Sequence, residues 1–135
     1  MNTMKTMKTK PSIKSPLYIG EAVHELIKDV IRDYPVIADE GARFPFCTWK
    51  RISGSETGSK DGPYSRTQLV EILVVDDHYE GSVQNAEKVY DKLNGFRGSV
   101  KGFNINEITL NTSSESYTEN GYVQRLVFNI EWSGL

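Results

Sequence analysis

Asp76, Asp77 and His78 stand in a row, and carboxylates beside an imidazole can bind a metal ion or transfer protons. Adjacent residues of an extended strand point to opposite faces, however, so three consecutive ligands do not converge easily on one ion. Asp77 also precedes an amphipathic segment and has Glu80 three residues later, which is the spacing of a helix capping box. The pattern favours a helix cap and predicts no metal site.

Nucleophilic and phosphate-binding chemistry is equally poorly supported. Cys47 is the single cysteine and lies in a strand-forming segment, where a small buried hydrophobic side chain is expected. His24 falls off the apolar stripe of its helix, which indicates a solvent-exposed side chain. The glycines at 54, 58 and 62 lack the lysine and hydroxyl of a phosphate-binding loop at the required offset. We therefore expect no enzyme activity, no cofactor and no bound metal.

The composition predicts a folded protein with an acidic body. The chain has 135 residues and a formal net charge of −2, but residues 1–15 contain four lysines and no acid. No apolar run suits a signal peptide or a membrane span, and a short basic segment without aromatic residues is poor evidence for nucleic-acid binding. The single cysteine fits a reducing compartment. We expect a flexible basic tail at 1–15, one domain at 16–135, no membrane and no specific nucleic-acid partner.

Two segments have apolar residues at helical spacing. The first is predicted at 16–33, with Ser15 as N-cap and an end before Pro35, because the residue preceding proline avoids the α region. The second is predicted at about 79–94, where Gly95 follows as a stop signal. The apolar residues are Ile19, Ala22, Val23, Leu26, Ile27, Val30 and Ile31 in the first segment, and Val83, Ala86, Val89, Tyr90 and Leu93 in the second.

Two hairpins complete the predicted elements. The first spans 44–77, and its second arm, 68–75, is the strongest strand because it is rich in β-branched residues. The second spans about 103–132, and a change of apolar parity predicts a bulge near Asn106 and Glu107. The order helix, hairpin, helix, hairpin predicts an α+β fold. We expect a two-layer sandwich, in which a four-stranded, mainly antiparallel sheet of two hairpins carries both helices on one face.

The strongest strand is apolar on both parities, although a two-layer sandwich buries only one face of its sheet. Val70, Ile72 and Val74 suit the helix-covered face. This leaves Leu69, Leu73 and Val75 on the outer face, near Cys47 and Trp49, as a candidate protein interface. The alternative is partial cover by lysine and arginine stems or by the 54–63 loop.

Two polar stretches, 54–63 and 113–121, are predicted to be mobile loops that are far longer than a tight turn requires. Their length suits ordering against a protein partner, and tolerated surface insertions are the alternative. The candidate contact residues in these stretches are Glu56, Lys60, Asp61, Tyr117 and Glu119.

The segment 45–54 reads Pro-Phe-Cys-Thr-Trp-Lys-Arg-Ile-Ser-Gly and is followed by the strand from Arg66 and the helix from Tyr79. This arrangement resembles the tail completion (tail terminator) proteins of long-tailed bacteriophages. The family pattern is proline, an aromatic residue, two small residues, an aromatic residue, one residue, and then Arg-Ile-Ser-Gly. Similarity in element order covers 17–133.

The resemblance implies an assembly protein that closes the tail tube and joins it to the head. It implies self-association in a ring, usually a hexamer, from subunits that are sometimes monomeric when isolated. The major tail tube protein and the head-tail connector proteins would be the partners, in the virion neck or tail after assembly in the host cytoplasm. The alternative function is a small dimeric ligand-binding or regulatory module that uses the same outer face.

Overall fold

The computed structural model describes residues 14–57 and 64–134, and a six-stranded sheet dominates it. The strands in chain order are β1 (Arg32–Pro35), β2 (Phe46–Thr57), β3 (Tyr64–Asp76), β4 (Gly98–Val100), β5 (Phe103–Thr118) and β6 (Gly121–Gly134). Their order across the sheet is β1-β2-β3-β6-β5-β4. All neighbouring strands are antiparallel except β1 and β2, which are parallel, and the sheet curls into a half-barrel.

The predicted four-stranded sandwich of two hairpins is therefore wrong. Two short strands, β1 and β4, are added at the edges, and the sheet is mixed. Neither strand has the apolar alternation from which strands are predicted, since β1 reads Arg-Asp-Tyr-Pro and β4 reads Gly-Ser-Val. A proline can be accommodated in β1 because β1 is an edge strand.

Most of the predicted polar loop 113–121 is strand, and so are residues 54–57 of the predicted loop 54–63. β5 continues to Thr118 and pairs with β6 as far as Gly121, which leaves only Glu119 and Asn120 as the turn. Serine, threonine and tyrosine in this stretch are compatible with a pleated strand, so its polarity indicated exposure and not a loop. In the first hairpin, β2 extends to Thr57 and β3 begins at Tyr64, while 58–63, with the predicted contacts Lys60 and Asp61, lies outside the described residues. The same holds for 1–13 of the predicted basic tail.

The predicted bulge near Asn106 and Glu107 is confirmed, because the register of β5 against β6 shifts between Ile105 and Glu107. A second shift, which was not predicted, occurs between Leu110 and Thr112. These bulges change which side chains of β5 face the helices.

Two helices lie against one face of the sheet. A 3₁₀ turn, Pro16–Tyr18, leads into α1 (Ile19–Ile27), and Ser15 caps the turn by accepting a hydrogen bond from the Leu17 N–H. The predicted extension of this helix to residue 33 is wrong, since the chain has already entered β1 there. Helix α2 (Tyr79–Leu93) agrees with the prediction. In the described part of the chain, neither helix is long and apolar enough to span a membrane.

The predicted cap of α2 by Asp77 is wrong. The N-cap is His78, and its side chain makes no capping hydrogen bond. The carboxylate of Asp76 instead lies over the first turn, where its Oδ2 would be 2.1 Å from a Cβ on Gly81. The absent side chain of Gly81 thus makes room for a buried acid at the positive end of the helix.

A single apolar core fills the space between the helices and the sheet. It contains the edge-to-face pair of Phe103 and Trp132, with ring centroids 5.4 Å apart. The fully buried members with the greatest volume are Trp132, Phe103, Phe128, Ile19, Ile27, Ile72, Leu93, Ile108 and Ile130.

Candidate interaction surface

The sheet face that the helices leave uncovered, here called the outer face, carries the predicted apolar residues of β3. Leu73 pairs with Thr48 on β2 and with Arg125 on β6. Val75 lies between Phe46 and Val123 in the same way. This register confirms that the parity of Leu69, Leu73 and Val75 differs from that of the core residues Val70, Ile72 and Val74.

The predicted position of Trp49 on this face is wrong. Cys47 pairs with Val74 and Trp49 pairs with Ile72, so both point to the helices. The ring of Trp49 lies over Gly20 of α1, where an added Cβ would be only 2.1 Å from Cζ3. Trp49 therefore acts in the packing of α1 against β2.

Leu69, Leu73 and Val75 are not equally accessible. Val75 is only 6% exposed, whereas Leu69 and Leu73 are half-buried. The connection between β1 and β2, residues 36–45, covers Leu73 and Val75, which line one cavity together with it. Phe44 stacks on Phe46 with ring centroids 5.9 Å apart and reaches across to β6, where its Cε1 would lie 3.4 Å from a Cβ on Gly121.

Between this connection and the sheet lies a cavity of about 680 Å³. Its floor is formed by β2, β3 and β6, its wall by 36–42, and its far side by the last residues of β5. The floor and wall include Phe44, Phe46, Leu73, Val75, Val123 and Arg125. The cavity combines an apolar floor with a polar rim, which is the usual composition of a protein or ligand contact site.

The wall begins with a strained turn. The N–H of Ile37 donates to the carbonyl of Pro35 over 2.6 Å, and Val36 between them has φ +62°. A three-residue turn with positive φ is rare, and a β-branched residue is a poor occupant of it. Val36 is 65% exposed and Ile37 is 76% exposed. No sequence pattern marks these two residues as exposed contacts, because 36–43 has the composition of an ordinary surface connection.

The part of the outer face next to the cavity is charged. Arg125 Nε donates to Glu71 Oε2 over 2.6 Å, and Lys50 Nζ lies 3.8 Å from the other carboxylate oxygen. Glu71 is the least exposed of the three side chains. The apolar cavity is thus bordered by an ordered cluster of two cations and one anion.

The tip of the β5–β6 hairpin contains the predicted contacts Tyr117 and Glu119. Tyr117 is 68% exposed, and its ring packs against Tyr122 with centroids 4.8 Å apart. Glu119 lies in the turn and is exposed. The backbone of Glu56 belongs to β2 and pairs with Arg66, so this predicted contact lies in a strand. The structure thus places Glu56 and Glu119 at opposite ends of the sheet.

Glu115 links the same hairpin to α2. It accepts hydrogen bonds from Gln124 and from the Tyr79 hydroxyl, each over 3.0 Å. These bonds hold the pKa of Glu115 below its ordinary value and raise the pKa of Tyr79. The contact orients the exposed half of β5 relative to the helix.

The three residues Asp76, Asp77 and His78 do come together, contrary to the sequence expectation. Their possible ligand atoms lie within 4.8 Å of one another. The contacts inside the group account for this geometry: the Asp77 N–H donates to Asp76 Oδ1 over 2.7 Å, and His78 Nδ1 lies 2.8 Å from Asp77 Oδ1. The contact with His78 lowers the pKa of Asp77, and the contact with Asp76 adds to this effect. These are the contacts of a strand-to-helix turn.

No protein-family model matches the sequence, and no curated protein matches it. The fold is similar to that of a chain in the solved structure of the "virion of native gene transfer agent (GTA) particle". The TM-score is 0.58, the sequence identity is 11%, and the match covers 83% of this chain and 84% of that one. At this identity the finding concerns the fold alone, and this chain shares its fold with a virion chain over most of its length.

Proposed function

We propose that this protein is a structural subunit of a phage or phage-like virion that closes the tail tube and joins it to the head as a ring. The observation that carries the proposal is the fold similarity to a chain of the gene transfer agent virion over 83% of this sequence. The resemblance of 45–54 to tail completion proteins supports the same role. The tail tube protein, the connector proteins and further copies of this chain are the proposed partners.

The outer face supports this proposal because it offers apolar surface to other proteins. Val36, Ile37 and Phe44 are exposed around the cavity, and Leu73 lies half-buried in its floor. Clustered exposed apolar side chains on a small protein are typical of protein contact sites. An assembly protein between two different partners needs several such surfaces, and the exposed tip of the β5–β6 hairpin provides a further one.

The second candidate function is a small dimeric ligand-binding or regulatory module. The observation that favours it is the cavity, since its size of about 680 Å³ is within the usual range for small-molecule sites. Light scattering on the purified protein combined with small-molecule binding screens would distinguish this function from assembly. A stable dimer that binds a ligand in the cavity supports the module.

The decisive experiment uses a host whose genome encodes this chain among particle genes. An epitope tag after Leu135 allows the chain to be detected in gradient-purified particles, and gold labelling reports its position. We expect the label at the neck, and we expect deletion of the gene to leave heads and tails unjoined. Normal, infectious or gene-transferring particles from the deletion strain would eliminate the proposed function.

A further inference from the structure

The sheet has an open edge at β5. Along the edge of β5 that points away from β6, β4 pairs only with residues 103–105. The segment 94–96 occupies the next part of this edge. Phe96 O accepts a hydrogen bond from the Ile108 N–H, and Asn94 Oδ1 accepts one from the Leu110 N–H. Across residues 112–118, no strand of the described part of the chain pairs on this side, and all seven side chains are exposed.

A second open edge lies at the other side of the sheet. β1 pairs with β2 only from Phe46 to Trp49, and the Val36 N–H then donates to Trp49 O. From Lys50 to Thr57, no strand among residues 14–57 and 64–134 pairs with the edge of β2 that points away from β3. An unpaired strand edge presents regular backbone donors and acceptors and is a template for another strand.

We propose that copies of this protein join edge to edge, with residues 112–118 of one copy pairing in antiparallel fashion with residues 51–57 of the next. This inference rests on the proposed function, since it assigns the surface through which the ring forms. β2 and β5 run in opposite directions within one sheet, so placing copies side by side produces the antiparallel arrangement directly. Two different edges make a head-to-tail contact, the type of interface that builds rings.

The ends of the two open segments select the register. The β5 edge is occupied up to Leu110, and the β2 edge is occupied up to Trp49. Both segments overlap fully when residue 57 lies opposite 112 and residue 53 opposite 116, and the bulge of β2 between Arg51 and Ser53 then lies next to Tyr117 and Thr118. The occupied parts then lie at opposite ends of the new ladder, and neither β1 nor β4 obstructs it.

This register also matches the faces of the two strands. Ser53 and Ser55 pair with Leu69 and Thr67, which places them on the outer face. Ser116 and Ser114 pair with Val123 and Arg125 on that same face. In the proposed ladder Ser53 lies opposite Ser116, and Ser55 lies opposite Ser114. The outer face therefore continues without interruption from one copy to the next.

The charges favour pairing of β5 with β2 of the next copy over pairing of β5 with β5. The exposed half of β5 and its turn contain Glu115 and Glu119 and no basic residue, whereas the open part of β2 begins with Lys50 and Arg51. In this register Lys50 and Arg51 lie beyond the bulge of β2, next to the turn that contains Glu119. A two-fold pairing of β5 with β5 over the same seven residues would instead place the two Glu115 side chains opposite each other, and like charges in that position are destabilising.

The test is chemical cross-linking of the full chain with Ser53→Cys and Ser116→Cys combined, treated with a short reagent that joins two thiols. Opposite side chains in an antiparallel pair have Cβ atoms about 5 Å apart, so the reagent spans the contact. We expect a ladder of covalent oligomers that ends at the ring. Native Cys47 is fully buried and does not contribute. The matched control combines Ser53→Cys with Thr109→Cys, an exposed position on the same strand outside the proposed ladder, and should give no ladder.

The reaction is run on the concentrated protein and in cells that produce particles. Absence of the ladder from both samples overturns the inference, as do dimers from Ser116→Cys alone, which would indicate pairing of β5 with β5. Particles that contain the chain but give no ladder refute the edge pairing and leave the proposed function intact. A ladder from a chain that is absent from particles supports the edge pairing and refutes the function.

Discussion

Trp49 and Asp33 join the second strand of the sheet to the first: the indole Nε1 of Trp49 donates a hydrogen bond to Asp33 Oδ1 over 2.9 Å. The side chain of Asp33 is only 4% exposed, and His24 Nδ1 lies 2.7 Å from the same oxygen. One buried carboxylate therefore connects α1, β1 and β2. His24 is exposed, as its position off the apolar stripe predicts, and the contact with Asp33 fixes the orientation of its ring.

Asp33→Ala should destabilise the protein by about 1–3 kcal/mol, because the indole N–H of Trp49 loses its acceptor in a partly buried site. Urea unfolding followed by tryptophan fluorescence measures the change. Asp29→Ala, at an exposed residue just after α1, is the control and should change stability by less than about 0.5 kcal/mol. Equal stability of the two variants would show that the carboxylate is not needed at this edge.

Val36→Gly should relieve the strained turn. A left-handed backbone costs a non-glycine residue roughly 1–2 kcal/mol, and the added flexibility of glycine offsets roughly 0.5–1 kcal/mol of the gain. We expect unchanged or slightly raised stability, measured by thermal unfolding. Ile37→Gly, at a neighbouring position without positive φ, should lower stability. If Val36→Gly is stable but enters particles poorly, the side chain is used in a contact.

Leu73→Glu and Val75→Glu should separate the contribution of the outer face to assembly from its contribution to folding. Leu73 is half-buried beside Arg125, so its glutamate variant should fold and fail to enter particles. Val75 is buried, and an unpaired charge there should destabilise the fold itself. Circular dichroism and particle incorporation are measured for both variants. An unfolded Leu73→Glu protein would assign Leu73 to the core.

Cys47 should resist alkylation in the folded protein. Burial raises the pKa of its thiol, with Asp33 adding to the effect, and the thiolate is the reactive form. At pH 8, iodoacetamide should label the native protein far more slowly than the protein in urea, as measured by mass spectrometry. Rapid labelling of the native protein would indicate that β2 opens readily. Cys47 would then also react with the cross-linking reagent.

The elements with strong periodicity were predictable from sequence. Helix α2 has an apolar stripe and a glycine stop, and Gly95 indeed has φ +84°. The short edge strands were not predictable, since β1 and β4 form by backbone pairing and have no apolar pattern. The exposed half of β5 was not predictable for a related reason: a strand whose two faces both meet solvent has no apolar alternation.

The candidate surface was predictable only on β3. The apolar character of both parities located Leu73 on the outer face correctly. Trp49 was assigned to the same face because its position depends on the register between β2 and β3, and a shift of one residue reverses every side chain. The connection 36–45 is polar and contains glycine, so its fold over the sheet, anchored by Phe44, depends on tertiary contacts that sequence patterns do not report. The contact roles of Leu69, Glu56, Tyr117 and Glu119 remain predictions.

The central position of β3 beside β6 has a consequence for how the chain reaches its native state. The β2–β3 and β5–β6 hairpins are local and can form early, but the ladder that joins β3 to β6 brings the middle of the chain to its end. Non-local pairing of this kind slows folding. During synthesis, one edge of β3 stays unpaired until β6, the last strand, has left the ribosome. We therefore expect docking of the two hairpins to limit the folding rate, and newly made chains to be most prone to aggregation in that interval.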